Sequence, residues 1–113
     1  MRKIIVYSLL AFLSLIMTSL LWSNTFLLTI VLLLIAIIMI SIGNKKRDLI
    51  LFVLGGFFGV IAEAIAIANG AWTYTKSDFM GIPLWLFFLW GMAALYLSKI
   101  YKGICEYLIH EPA

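Results

Sequence analysis

Four stretches of this chain are predominantly apolar for the length of a membrane crossing: Ile4 to Trp22, Phe26 to Ile42, Leu49 to Ala68 and Ile82 to Ser98. A helix crosses a hydrocarbon layer of ~30 Å in about 20 residues, and only helices or closed barrels satisfy their backbone groups there. The runs are continuous instead of alternating, which excludes a barrel. With 65% hydrophobic and 12% charged residues and a mean hydropathy of +1.17, the 113 residues read as one all-α, polytopic domain of four transmembrane helices.

The first run follows Met1-Arg2-Lys3 and resembles a secretory signal in outline. It is longer than the ~7 to 15 residues of a signal core, and no A-x-A site follows Trp22, so a retained span is expected. Ser23-Asn24-Thr25 is short enough to force a tight helical hairpin. The basic residues Arg2, Lys3, Lys45, Lys46, Arg47, Lys99 and Lys102 fall on one side of the four spans, against Lys76 alone on the other. By the positive-inside rule both termini are cytoplasmic, and the 70–81 loop is extracytoplasmic in the cell membrane. A net charge of +3 placed this way orients the chain and does not form a nucleic-acid surface.

The helix faces differ. Gly55, Gly59, Ala62, Ala66 and Gly70 share one stripe of the third run, and Gly91, Ala94 and Ser98 one side of the fourth. Small residues at this spacing let backbones approach closely, so Gly55, Gly59, Ala62, Ala66 and Gly91 are the expected packing positions. Tyr7, Ala11, Ser14, Thr18 and Trp22 make a polar seam on the first run. The second run is bulky throughout and is expected against lipid. The 99–113 tail keeps Ile100, Ile104 and Leu108 in register, as an amphipathic cytoplasmic segment or an extension of the fourth helix.

One carboxyl group interrupts this apolar matrix. Glu63 lies about 14 residues into the third run, roughly 20 Å from its cytoplasmic end. An acid at the centre of a bilayer costs roughly 2.5 to 3.5 kcal/mol on insertion scales, so it marks a site by default. The bland reading is a hydrogen bond to Tyr7, Ser14 or Thr18 of the first helix. Trp72, Tyr74, Trp85 and Asn69 are the candidate ligand-binding residues beside it, because aromatic faces grip an apolar chain or a cation. Against that, tryptophan and tyrosine gather at any membrane interface. Asn69 and Gly70 are also expected to end the third helix, and Lys76 and Asp78 to form a solvated loop pair.

Other signals carry little. Gly55, Gly56 and Gly59 lack the Lys-Ser/Thr and preceding strand of a phosphate loop. Cys105 and His110 stand apart from any acid at ligand spacing, so neither a metal nor another cofactor is expected.

The order Glu63, Gly70, Trp72-x-Tyr74, Gly81-x-Pro83 resembles the small membrane proteins of carotenoid biosynthesis, the lycopene cyclase domain and the related carotenoid hydratase group. The similarity covers about 30 residues. It implies a helical membrane fold and an isoprenoid-type ligand. The cyclases follow this loop with Pro-x-Glu-Glu, whereas here Pro83 precedes Leu84, Trp85 and Leu86. Glu63 is then the acid left to serve as a candidate catalytic group.

Three functions compete at this point. The chain binds or acts on an apolar isoprenoid-like or lipid molecule near Glu63; or it is a small transporter or channel subunit working as a homo-oligomer; or it is a scaffold whose glycine-rich helix docks on a larger membrane partner. The lipid bilayer is common to all three.

Overall fold

The computed structural model describes residues 2–112 and is built from four helices: α1 (Arg2–Leu21), α2 (Thr25–Ile42), α3 (Lys45–Ala68) and α4 (Leu86–Leu108). The sequence sets their boundaries locally. Asn24 caps α2 by accepting the Leu27 amide at 3.2 Å, and Asn44 caps α3 by accepting the Arg47 amide at the same distance. Gly70, at φ 79°, ends α3 in the left-handed region, where a side chain would be strained.

Three helices, over Lys3–Leu21, Thr25–Ile42 and Lys45–Ala68, are long and apolar enough to cross a membrane. The fourth falls short of that standard, because Lys99, Lys102 and Glu106 lie in its second half. α4 is nevertheless the central element. It packs against all three others, most extensively α3, while α1 and α3 do not approach one another.

The α3–α4 contact depends on missing side chains. A Cβ on Gly59 would fall on the Trp90 indole, one on Gly55 on Ala94, one on Gly56 on the Phe87 ring, and one on Gly91 on Phe52. The stripe is therefore used up to Gly59; Ala62, one turn on, is exposed, and Ala66 is half-buried.

Two expectations need correction. α2 is not only a lipid-facing helix: Phe26, Leu33, Leu34 and Ile37 are exposed, but Leu28, Leu32, Ile35, Ala36 and Met39 are buried in the core. A helix that is apolar all round has no stripe to announce its inner face. The fourth helix starts at Leu86 instead of Ile82, and runs unbroken through Gly103 to Leu108. Before it, Met80 (φ 52°) and Gly81 (φ 80°) make a two-residue reversal closed by the Phe79 and Ile82 backbones, and Pro83 is buried outside the helix.

The outward surface carries Leu9, Phe12, Leu20, Phe26, Ile50, Phe58 and Leu97 well exposed. A soluble monomer rarely shows so large an apolar surface, and a bilayer accounts for it.

Candidate functional site

Glu63 sits in α3 five residues before its end, Ala68, which is roughly 7.5 Å along the axis. The chain then turns at Gly70 and brings the loop back over the carboxyl group. The Tyr74 hydroxyl donates a short hydrogen bond to Glu63 Oε2, and Trp72 Nε1 donates to the same oxygen at 3.3 Å. Among the described residues no donor reaches Oε1. Tyr74 is half-buried, and that burial, followed by the hydrogen bond and charge of Glu63, pushes its phenol well above the usual range.

Glu63 and Tyr74 close one end of a cavity of about 460 Å³. Its walls come mainly from α1, through Ser8, Ala11 and Phe12, and from α4, through Leu89, Trp90 and Tyr96. The gap exists because α1 and α3 both lean on α4 without meeting. Phe12 and Leu15 line it while remaining exposed, so the cavity opens towards the lipid-facing side of α1. Apart from Glu63, its polar groups are few and already engaged. Ser8 Oγ and the Tyr96 hydroxyl share a hydrogen bond of 2.6 Å, and Ser14 Oγ donates to the Leu10 carbonyl at 2.9 Å.

The structure thus separates the residues singled out in the sequence. Tyr74 and Trp72 join Glu63. Trp85 is buried behind them, its ring edge-on to Tyr74 at 6.1 Å, and it supports the tyrosine instead of lining the cavity. Asn69 is exposed and donates to the Ile65 carbonyl of its own helix at 2.8 Å. None of the bland partners hydrogen-bonds Glu63: Ser14 donates to the Leu10 carbonyl, Thr18 to the Ser14 carbonyl, and the Tyr7 hydroxyl lies beside Gly43, the residue before the α3 cap. Lys76 and Asp78 are not a pair. Lys76 Nζ donates to the Ser23 carbonyl at 2.8 Å, and Asp78 Oδ2 accepts the Leu84 amide at 2.8 Å.

The family described as "Protein of unknown function (DUF2878)" matches residues 3–109. The chain belongs to the DUF2878 family. Comparison with curated proteins and with solved structures returns no match. The matched span of this DUF2878 chain contains the Glu63 cavity and also a second polar cluster at the opposite end of α3. There Lys99 Nζ is 2.9 Å from Asp48 Oδ2 and 5.2 Å from the centre of the Tyr7 ring. Asp48 is 5% exposed and Tyr7 2%, with the Tyr7 hydroxyl unpartnered.

Sequence reasoning missed this cluster, since Asp48 and Lys99 each read as an end-of-span charge. The available signal was an acid in the first turn of α3 facing a lysine one step beyond the apolar part of α4. Among the described residues no three His, Cys, Asp or Glu side chains converge to hold a metal ion.

Proposed function

We propose that this chain is a four-span membrane protein, with both termini cytoplasmic, that binds a long apolar isoprenoid-like or lipid molecule in the cavity ending at Glu63. The observation that carries the reading is an acid held by Tyr74 and Trp72 at the end of an otherwise apolar cavity that opens beside α1. A lipid-phase ligand enters such a space laterally, leaving its chain among Leu89, Trp90 and Phe12 and its polar end at the carboxyl group. The resemblance to the carotenoid-biosynthesis proteins points to the same ligand class. Glu63 is one acid without a partner base, which favours binding over turnover.

The fourth crossing is supported by what each end of α4 meets. Trp85, just before the helix, packs on Tyr74 at the Glu63 end of α3, and Lys99 meets Asp48 at the other. α4 therefore runs antiparallel to α3 from its start to Lys99, alongside most of α3, which supports a fourth crossing.

The deciding experiment is to purify the chain, incubate it with native lipid extract and identify what it retains by mass spectrometry. A retained apolar ligand that is lost or depleted in Glu63→Gln is the expected result. Wild type and variant both emerging empty would overturn the reading.

A transporter reading has one observation in its favour: polar pairs recur through the helix assembly, at Glu63–Tyr74 ahead of α4 and at Ser8–Tyr96 and Asp48–Lys99 along it. It requires proton-coupled uptake in liposomes that depends on Glu63. The scaffold reading loses its support, because α4 already fills the glycine face of α3.

A further inference from the structure

The cavity's polar groups define what kind of head group it takes, granted the binding role proposed above. Both hydrogen bonds to Glu63 fall on Oε2, leaving Oε1 free on a residue that lines the cavity. The hydroxyls of Ser8, Ser14, Tyr74 and Tyr96 each already have a partner. No lysine, arginine or histidine contributes to the lining. The nearest loop cation in sequence, Lys76, is turned to the Ser23 carbonyl.

An acceptor without a partner, in a site without a cation, selects for a donor. A carboxylate or phosphate head would bring further acceptor oxygens to an acceptor, and the lining holds no cation to neutralise its own charge. An ester or ketone would bring a second acceptor to an acceptor and leave both unmatched. A hydroxyl or an ammonium group satisfies Oε1 directly. Tyr74 and Trp90 in the lining add aromatic surroundings of the kind that favour a cation.

We propose that the cavity selects long-chain molecules whose polar end is a hydrogen-bond donor, an alcohol or a protonated amine, and rejects anionic lipids and acceptor-only esters. Glu63 Oε1 is the atom that discriminates. The Ser8–Tyr96 pair lies on the far side of the apolar stretch and sets no such sign, since hydroxyls both donate and accept.

The test is a competition. The full chain in nanodiscs is incubated with an equimolar mixture of a long-chain alcohol, the amine, the methyl ester and the carboxylate of matched chain length, and the retained species are counted by native mass spectrometry. Alcohol and amine should each exceed the ester and the carboxylate on the order of tenfold, the worth of one well-formed hydrogen bond. In Glu63→Gln the preference should collapse, because an amide donates as well as accepts. Ester or carboxylate retained as well as the alcohol in the wild-type chain would overturn the donor rule while leaving the binding reading intact. Retention of none of the four, together with an empty chain after exposure to native lipid, would bring down the binding reading itself. The wild-type series decides between these outcomes even if Glu63→Gln fails to fold.

Discussion

The Tyr74 hydroxyl hydrogen-bonds the carboxyl group of Glu63 across a chain reversal of eleven positions, so that a loop residue holds the polar atom of a membrane helix in place. The reversal works because Gly70 turns the chain at positive φ, and Trp85 backs the tyrosine ring. Tyr74→Phe removes the donor and keeps the ring. A hydrogen bond contributes about 0.5–1.5 kcal/mol net. The expected outcome is a small drop in thermal midpoint, followed by circular dichroism in detergent, together with a clear loss of retained ligand. Unchanged ligand retention would show that the carboxyl group does not need this anchor.

The same tyrosine makes stability depend on alkaline pH. Burial, then Glu63, raises the Tyr74 phenol above the value of ~10 that it has in the unfolded chain. Below that value both states hold the proton and the contribution is fully present. Above it the unfolded chain binds fewer protons than the native one, so stability falls as pH rises. Thermal midpoints measured from neutral pH to above pH ~10 should decline more steeply for wild type than for Tyr74→Phe. Equal alkaline slopes in the two chains would refute this.

How much of this was readable beforehand depended on contrast. Glu63 stood out because it is an acid within an apolar run, and Trp72 and Tyr74 because they follow it closely after a glycine turn. The glycines facing α4 were visible as a stripe, but where the stripe stops was not, because Trp90 fills the space opposite Gly59 and a lone residue spacing does not report its partner. α2 gave no hint of its inner face, since Leu28 and Ile30 are equally apolar and only one is buried. The Asp48–Lys99 pair was hidden by a separation of 51 positions and by the ordinary tendency of charges to flank spans. The start of α4 was misjudged because Ile82 and Pro83 continue its apolar run while the Met80–Gly81 reversal precludes a helix there.

Gly59 and Trp90 provide a packing test. Overfilling a close contact costs about 1–3 kcal/mol, and the indole opposite Gly59 has α3 on one side and the cavity on the other. Gly59→Leu should therefore lower the thermal midpoint and reshape the cavity at once. Pairing it with Trp90→Ala should recover much of the stability, because the new side chain then takes the space of the old one. A double variant as unstable as the sum of the singles would show that the two residues do not share a contact.

The proposed four crossings would place the 70–81 loop and the end of α4 on opposite sides of the membrane. In a Cys105→Ser background, Lys76→Cys should react with an impermeant maleimide in intact cells. Glu111→Cys, just after α4, should react only after permeabilisation. Labelling of both from one side would mean that α4 does not cross.

The buried pair of Asp48 and Lys99 makes a prediction about asymmetry. The side chains are 6% and 13% exposed, and removing one member of such a pair leaves the other charge stranded at about 3–5 kcal/mol. The two survivors are not equally stranded. Asp48 lies in the first turn of α3, where the positive end of the helix dipole and nearby backbone N–H groups favour a negative charge. Lys99 has the Tyr7 ring at 5.2 Å, an interaction of about 0.5–2 kcal/mol, while the Tyr7 hydroxyl makes no hydrogen bond. Lys99→Met should thus be tolerated better than Asp48→Leu, and the combination of both should be milder than Asp48→Leu alone, because an apolar pair strands nothing. Thermal midpoints of the three variants measure this directly. If Asp48→Leu proved the mildest of the three, the carboxyl group would not be what holds Lys99 between α1 and α3.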